Sequence, residues 1–83
     1  MYEIIFQNAP ERFFRRLDKL NQEILLRKLK EIELNPRIGI PLAGDLKGLW
    51  KLRFGKFRIV YEIKDNELIV LILRLGNREN VYR

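Results

Sequence analysis

The stretch LKGLWKLRFGKFRIVYEI, residues 46–63, decides the fold. From Leu49 its apolar and charged side chains alternate, which is the period of two that characterises a β-strand with one buried face. Gly55-Lys56 interrupts the alternation with a two-residue hairpin signal. The side predicted to be buried carries Trp50, Leu52, Phe54, Phe57, Ile59, Tyr61 and Ile63. The aromatic residues therefore belong to a core rather than to a platform for stacking bases.

A two-residue turn at this position fixes the register of the hairpin. It pairs Phe54 with Phe57, Arg53 with Arg58, and Leu52 with Ile59. Lys51, Arg53 and Arg58 then share one face of the sheet. Like charges placed directly opposite each other are destabilising, so we expect the arginine pair to bind an anion.

A second tight turn is predicted at Asp65-Asn66, followed by a strand over Leu68–Leu75 that is apolar on both faces and therefore central. The same counting pairs Ile63 with Leu68 and Arg58 with Leu73. The segment after this strand then passes near the basic cluster, so Arg78 and Tyr82 are candidates for the same site.

The N-terminal half reads as one strand and two helices. Tyr2–Phe6 is β-rich, and Asn8, Pro10 and Glu11 are typical of a helix start with Asn8 as the N-cap. Asn21 is a candidate cap for the second helix or the site of a bend in a single one. The apolar helical positions are Phe13, Phe14, Leu17, Leu20, Leu25, Leu29 and Ile32.

Residues 37–48 read as a loop, because Gly39, Pro41 and Gly44 interrupt any regular pattern. The predicted fold is therefore α+β, in the order β-α-α-β-β-β. A two-helix hairpin packs on one face of a small, mainly antiparallel, four-stranded sheet. We expect residues 1–83 to form a single domain.

Composition excludes several classes of protein. The 83 residues include no cysteine and no histidine, which rules out disulfides, thiolate catalysis, Ser/His/Asp triads and histidine-rich metal sites. We expect no metal and no cofactor. The N-terminus has an early acid and no long apolar run, so neither a signal peptide nor a membrane span is predicted, and a cytoplasmic location fits best.

Charge indicates an anionic partner. The net charge of +6 favours nucleic acid, acidic proteins or anionic membrane surfaces. No acid occurs between Asp45 and Glu62, so the cations between them lack a local counter-charge: Lys47, Lys51, Arg53, Lys56 and Arg58. The alternative is a solvated face, or cations that guard a strand edge against aggregation.

The face that carries the cations also has an apolar part, predicted to comprise Val60, Ile69, Leu71 and Leu73, with Leu75 as a further candidate. An apolar sheet face that the helices do not cover forms an exposed patch. An amphipathic acidic helix from a partner protein would cover this patch and neutralise the cations.

Residues 46–63 resemble the core pattern L-x-G-x-x-x-x-R-x-G-x-x-R-x-x-Y of the RelE/ParE toxin superfamily. With the strand, the helix pair and the closing residues 76–82, the resemblance covers nearly the whole chain. It implies the toxin of a toxin–antitoxin pair, bound to a cognate acidic antitoxin in a hetero-oligomer. In the RelE branch, it implies metal-independent cleavage of mRNA in the ribosomal A site, through attack of a 2′-hydroxyl on the adjacent phosphate.

The resemblance also implies roles for individual residues. Lys51 or Arg53 assists removal of the hydroxyl proton, Arg58 and Arg78 stabilise the charged phosphorane, and Tyr82 orients or stacks on a base. Further contacts to RNA or the ribosome are expected from Lys47, Lys56, Arg74 and Arg83.

Two other functions stay open on the sequence. The ParE branch shares the fold and inhibits DNA gyrase without an enzymatic step. A plain RNA-binding module would also account for the basic face.

Overall fold

A computed structural model describes residues 1–77 of the chain. Two α-helices, α1 (Asn8–Arg16) and α2 (Lys19–Leu34), accompany the strands β1 (Glu3–Phe6), β2 (Ile40–Pro41), β3 (Leu49–Phe54), β4 (Phe57–Lys64) and β5 (Ile69–Asn77). Short 3-10 helices occupy Pro36–Ile38, Gly44–Leu46 and Asp65–Glu67. No helix in this part of the chain has the length and apolar character needed to cross a bilayer.

The strands form one sheet in the order β1-β5-β4-β3-β2. Only β1 and β5 run parallel, so the predicted α+β class and the mainly antiparallel sheet are confirmed. The sheet has five strands rather than four, because residues within the predicted loop form β2 and pair Ile40 with Lys51 and Pro41 with Trp50. A two-residue strand is too short to show an alternating pattern, which is why the sequence did not reveal it.

The first hairpin has the predicted register. Phe54 pairs with Phe57, Arg53 with Arg58, and Leu52 with Ile59. Gly55 adopts a positive φ of 54°, which this tight turn requires and which glycine reaches without a steric penalty.

The predicted register of the second hairpin is wrong. Ile63 pairs with Val70 and Arg58 with Gly76, instead of with Leu68 and Leu73. The turn is longer than two residues: Asp65–Glu67 forms a 3-10 helix, and Leu68 follows in the left-handed conformation at φ 55°. A bulge next to the Val60/Tyr61 position then adds one more residue to β5.

This shift changes which side chains of β5 face the helices. Leu75 is buried in the core, and not on the basic face as a further member of the apolar patch. Leu73 lies at the bulge, between Ile72 and Arg74, which pair with Tyr61 and Val60.

The helices also begin at other positions than predicted. Asn8 is the first residue of α1 rather than its cap, and α2 begins after Asp18 rather than at Asn21. Asn21 donates a hydrogen bond to Asp18 Oδ1 at 2.6 Å, one turn before it. Leu20 is 65% exposed and does not belong to the apolar face.

One hydrophobic core fills the space between the helices and the sheet. Its buried members are Leu25, Leu29, Ile32, Phe57, Ile59, Tyr61, Val70, Ile72 and Leu75, with Phe13, Phe14, Leu17 and Trp50 packed against them. Both helices therefore cover the same face of the sheet, as predicted. The opposite face is the one that carries the charged residues of β3 and β4.

Candidate nucleic-acid interface

Four cations of the central strands lie on the face that the helices leave uncovered. One cross-strand row runs Arg53, Arg58, Gly76, and the next runs Lys51, Val60, Arg74. Paired residues of an antiparallel sheet point to the same side. Lys51, Arg53, Arg58 and Arg74 therefore form one surface, which we call the basic face.

The cations of the basic face differ in exposure. Arg53 and Arg74 are exposed, whereas Lys51 and Arg58 are half-buried and the Nε atom of Arg58 is shielded from solvent. Within residues 1–77, no carboxylate lies within ion-pairing distance of Lys51 or Arg53. Glu62 lies one row further along the same face, where it is 3.8 Å from Lys64 Nζ.

Val60 lies at the centre of this surface but is only 2% exposed. It is buried outside the main core cluster, with Lys51 and Arg74 as its cross-strand neighbours. Long basic side chains commonly lay their aliphatic stems over apolar groups while keeping the charge in water. The predicted exposure of Val60 as part of an apolar patch is therefore wrong: Val60 forms the floor of the basic face.

The rest of the predicted patch remains accessible. Ile69, Leu71 and Leu73 are half-buried on β5. Ile5 of β1 pairs with Leu71 in the parallel register and is 37% exposed, so it extends the patch onto β1. We call Ile5, Ile69, Leu71 and Leu73 the apolar strip. The sequence pattern did not indicate Ile5, because β1 and β5 pair although they are far apart in the chain.

The remaining predicted site residues are distributed around this surface. Lys56 lies in the hairpin turn, with its Nζ 5.5 Å from the ring centre of Phe57. Lys47 is exposed in the loop before β3 and lies outside the paired rows. Arg78, Tyr82 and Arg83 lie outside the described residues.

A family model described as the ParE toxin of the type II toxin–antitoxin system parDE matches residues 4–82 of the chain. The chain belongs to this toxin family. It is the toxin component of a toxin–antitoxin system and has the RelE-like fold.

Individual relatives of this toxin carry RelE names. The mRNA interferase toxin RelE of Escherichia coli (strain K12) is 31% identical over 83 aligned positions, which cover 94% of this chain and 84% of that protein. The toxin–antitoxin complex RelBE2 from Mycobacterium tuberculosis contains a similar chain, with a TM-score of 0.75, 29% identity and coverage of 93% and 98%. The isolated E. coli RelE toxin matches with a TM-score of 0.82 at 23% identity, covering 99% of this chain and 89% of that one, a likeness that shows the fold.

The unpredicted strand β2 adds a pocket beside the basic face of the toxin. A pocket of about 240 Å³ is lined by Ile38, Ile40, Lys51, Leu52 and Arg53. Ile40 is 59% exposed and pairs with Lys51, so an apolar wall stands next to two cations. An apolar wall beside positive charge suits a flat, uncharged ring attached to an anionic group.

A second unpredicted feature is a pair of arginines on α1. Arg12 and Arg16 line a groove of about 480 Å³ together with Arg74 and other residues near the end of β5. The i, i+4 spacing of the two arginines was the available signal, since it places them on the same side of a helix. The sequence did not show which side of α1 faces β5.

Proposed function

We propose that this toxin is an endoribonuclease that cuts mRNA on the ribosome through attack of a 2′-hydroxyl on the adjacent phosphate. The observation that supports this most directly is the register of β3, β4 and β5, which gathers Lys51, Arg53, Arg58 and Arg74 on one solvent-facing surface. Cleavage of mRNA, the coarser part of this proposal, is also supported by the name of the 31% identical relative, an mRNA interferase.

In the proposed reaction, the 2′-oxygen forms a bond to phosphorus while the bond from phosphorus to the 5′-oxygen breaks. Lys51 or Arg53 assists removal of the 2′-hydroxyl proton, and the leaving 5′-oxygen takes up a proton from water. The products are a 2′,3′-cyclic phosphate and a free 5′-hydroxyl. Arg58 stabilises the negative charge of the phosphorane, together with Arg78. Tyr82 stacks on or orients a base. The guanidinium groups provide the positive charge in this scheme, so the proposal includes no metal.

The pocket lined by Ile38 and Ile40 supports recognition of a nucleotide beside the reacting phosphate. Lys51 and Arg53 line the same pocket, so a base against these apolar side chains would have cations close to its phosphate. Lys47, Lys56, Arg74 and Arg83 are proposed to contact more distant phosphates or ribosomal RNA.

The groups available in the toxin support the proposed dependence on the ribosome. The chain contains no histidine, so no side chain with an ordinary pKa near neutrality serves as acid or base. Precise positioning of the RNA then has to supply much of the rate enhancement, and effective molarities show that positioning alone lowers barriers by several kcal/mol. The ribosomal A site holds mRNA in a defined conformation.

We further propose that the apolar strip binds an amphipathic helix of a cognate acidic antitoxin. Half-buried Ile69 and Leu71 lie on the sheet face that this chain's own helices leave uncovered, and half-buried Leu73 follows them at the bulge of β5. The similar M. tuberculosis chain was solved as part of a toxin–antitoxin complex. An acidic helix over the strip would also extend across the basic face and block access of RNA.

The test is primer extension on cellular transcripts after expression of the toxin. Arg58→Ala should reduce cleavage by about 10²- to 10³-fold, the cost of losing one preorganised charge-stabilising donor. Arg27→Ala, which removes an exposed arginine of α2, is the matched control and should cut normally.

A DNA supercoiling assay with purified gyrase distinguishes the second class of function, since the matched family model is described as a ParE toxin. Gyrase inhibition by the wild-type protein, with no cleaved transcripts, would disprove the ribonuclease proposal. Harmless expression with no cleaved ends would indicate a plain RNA-binding module.

A further inference from the structure

A groove of about 480 Å³ runs between α1 and the C-terminal end of β5, beside the basic face. Its walls include Arg12, Phe13 and Arg16 from the helix and Leu73, Arg74 and Asn77 from the strand. None of the described residues that line it is acidic. Three arginines therefore surround a groove that also has an apolar floor.

The groove exists because β5 is longer than β1. The parallel pairing ends at Phe6 and Ile72, where Gln7 N–H donates to the Ile72 carbonyl at 3.0 Å. Beyond this point α1 leaves the sheet, held by the buried Pro10 and by Phe13, whose ring lies edge-on to Phe57 at 6.4 Å. The last residues of β5 thus extend past β1 with α1 alongside.

The two helix arginines are placed to bind repeated negative charges. Arg12 and Arg16 are exposed and one helical turn apart, which places their Cβ atoms about 6 Å from each other. In the described part of the chain, neither has a carboxylate within ion-pairing distance. Arg15, between them in sequence, is instead paired with Glu11 at 3.3 Å.

The groove is continuous with the basic face. Arg74 lines the groove and also belongs to the row of Lys51 and Val60, and Gly76 lines it and pairs with Arg58. Neighbouring strands are about 4.8 Å apart, so a chain bound at Arg58 reaches the groove by crossing to the next strand. The positive surface therefore runs from Arg53 across β4 and β5 to α1.

We propose that Arg12 and Arg16 bind backbone phosphates of the mRNA strand that is cleaved at the basic face. This inference rests on the proposed ribonuclease function and adds a second RNA-binding site to it. Charge alone would also fit an acidic peptide. Continuity with the face that holds the reacting phosphate favours RNA, because a single polyanionic strand can occupy both surfaces at once.

The experiment measures binding of a 2′-O-methyl oligouridylate, which lacks the attacking hydroxyl and cannot be cut. Its dissociation constant is determined over a range of salt concentrations for the wild-type protein and for Arg12→Ala/Arg16→Ala. Loss of two phosphate contacts to a single strand should lower the salt slope by about 1.4 and weaken binding by about an order of magnitude at moderate salt.

Two further variants make the comparison specific. We call Arg12→Ala/Arg16→Ala the groove variant. The control Arg15→Ala/Arg27→Ala also removes two exposed arginines, and its affinity for RNA should keep a steeper dependence on salt than that of the groove variant. Arg12→Lys/Arg16→Lys retains the charge and should restore most of the binding. Thermal unfolding followed by circular dichroism should give similar midpoints for the groove and control variants, since all four side chains are exposed.

A wild-type slope in the groove variant would overturn the inference and leave the proposed function intact. Normal RNA binding with a weakened antitoxin complex would overturn it too, and would assign the groove to the antitoxin. In cleavage assays on ribosomes, the loss of activity in the groove variant should diminish when the mRNA is shortened on one side of the cleavage site. A loss of cleavage that does not depend on mRNA length would overturn the inference, because it would indicate ribosomal RNA in the groove. A wild-type protein that neither binds nor cuts RNA would disprove the proposed function itself.

Discussion

At the residue scale, Gly39 lies where the chain has no room for a side chain. A Cβ atom at Gly39 would lie 2.5 Å from both the Lys51 carbonyl oxygen and the Tyr61 hydroxyl. The Tyr61 hydroxyl is buried and donates to the Pro36 carbonyl at 2.6 Å, and burial raises the pKa of this phenol. The close approach of the chain at Gly39 allows β2 to pair with β3 and to place Ile40 next to Lys51.

Gly39→Ala should therefore destabilise the toxin and disturb the pocket beside Lys51. We expect a loss of about 1–3 kcal/mol in the free energy of unfolding, the usual cost of forcing extra atoms into a closely packed site. Urea unfolding followed by tryptophan fluorescence measures this loss, with Trp50 as the probe.

A double-mutant cycle tests the physical cause of this loss. Tyr61→Phe removes one of the two atoms that lie 2.5 Å from the new methyl group. Gly39→Ala should then lower the free energy of unfolding less in the Tyr61→Phe background than in the wild type. Equal costs in both backgrounds would show that the hydroxyl does not cause the clash.

At the element scale, the turn between β4 and β5 sets the register that forms the site. Asp65, in this turn, accepts hydrogen bonds from the Tyr2 hydroxyl and from Arg37, whose Nη2 lies 2.7 Å from Asp65 Oδ2. The contact joins the chain before β1, the segment after α2 and the β4–β5 turn. Arg37 and Tyr2 lower the pKa of the Asp65 carboxyl below its ordinary value.

The lowered pKa predicts the direction of a pH dependence. Because the folded-state pKa of Asp65 lies below its unfolded-state pKa, its contribution to stability is fully present above the unfolded value, about 3.9. This contribution is lost as the pH falls through the folded-state pKa. Urea unfolding from neutral to acidic pH should show Asp65→Asn less stable than the wild type at pH 7, with the difference shrinking below about pH 4.

Asp45→Asn is a suitable control for this experiment, because Asp45 is exposed and has no ion pair among the described residues. The difference in the free energy of unfolding between Asp45→Asn and the wild type should change little with pH. A stability difference between Asp65→Asn and the wild type that stays constant down to strongly acidic pH would show that the ionised Asp65 carboxylate is not its cause.

At the scale of the whole molecule, the two faces of the sheet have different roles. The helices cover one face and form the core, and the other face is the one proposed to bind RNA and the antitoxin. The basic face and the apolar strip meet along β5, where Arg74 follows Leu73 in the chain. If the two proposed sites are correct, one bound antitoxin helix would block RNA by occupying the adjoining surface.

The apolar strip leads to a prediction for Ile5, which only the parallel β1–β5 pairing brings next to Leu71. Ile5→Glu should weaken antitoxin binding by at least about tenfold, because it places a charge in the proposed apolar interface. Isothermal titration with the purified antitoxin measures the effect. Leu20→Glu, at an exposed position of α2, is the control and should bind normally.

Cleavage of ribosome-bound mRNA by Ile5→Glu in the absence of antitoxin should equal that of the wild type. Lost cleavage would mean that the substitution disturbs the fold or the RNA site rather than the antitoxin surface. Unchanged antitoxin binding would remove Ile5 from the proposed interface.

The sequence by itself determined the β3–β4 hairpin and the common face of Lys51, Arg53 and Arg58. A two-residue turn leaves a single register, and alternation along the strands then assigns every side chain to a face. These are local relations, so they can be read from neighbouring residues.

The tertiary structure alone decided the β4–β5 register, the fifth strand, the burial of Val60 and Leu75, and the groove at Arg12 and Arg16. A longer turn at Asp65–Glu67 and a bulge in β5 change the pairing by several residues without an obvious local signal. The groove forms where α1 packs beside the end of β5, more than fifty positions away in the chain. Such contacts depend on how complete surfaces fit together, which no short pattern of residues specifies.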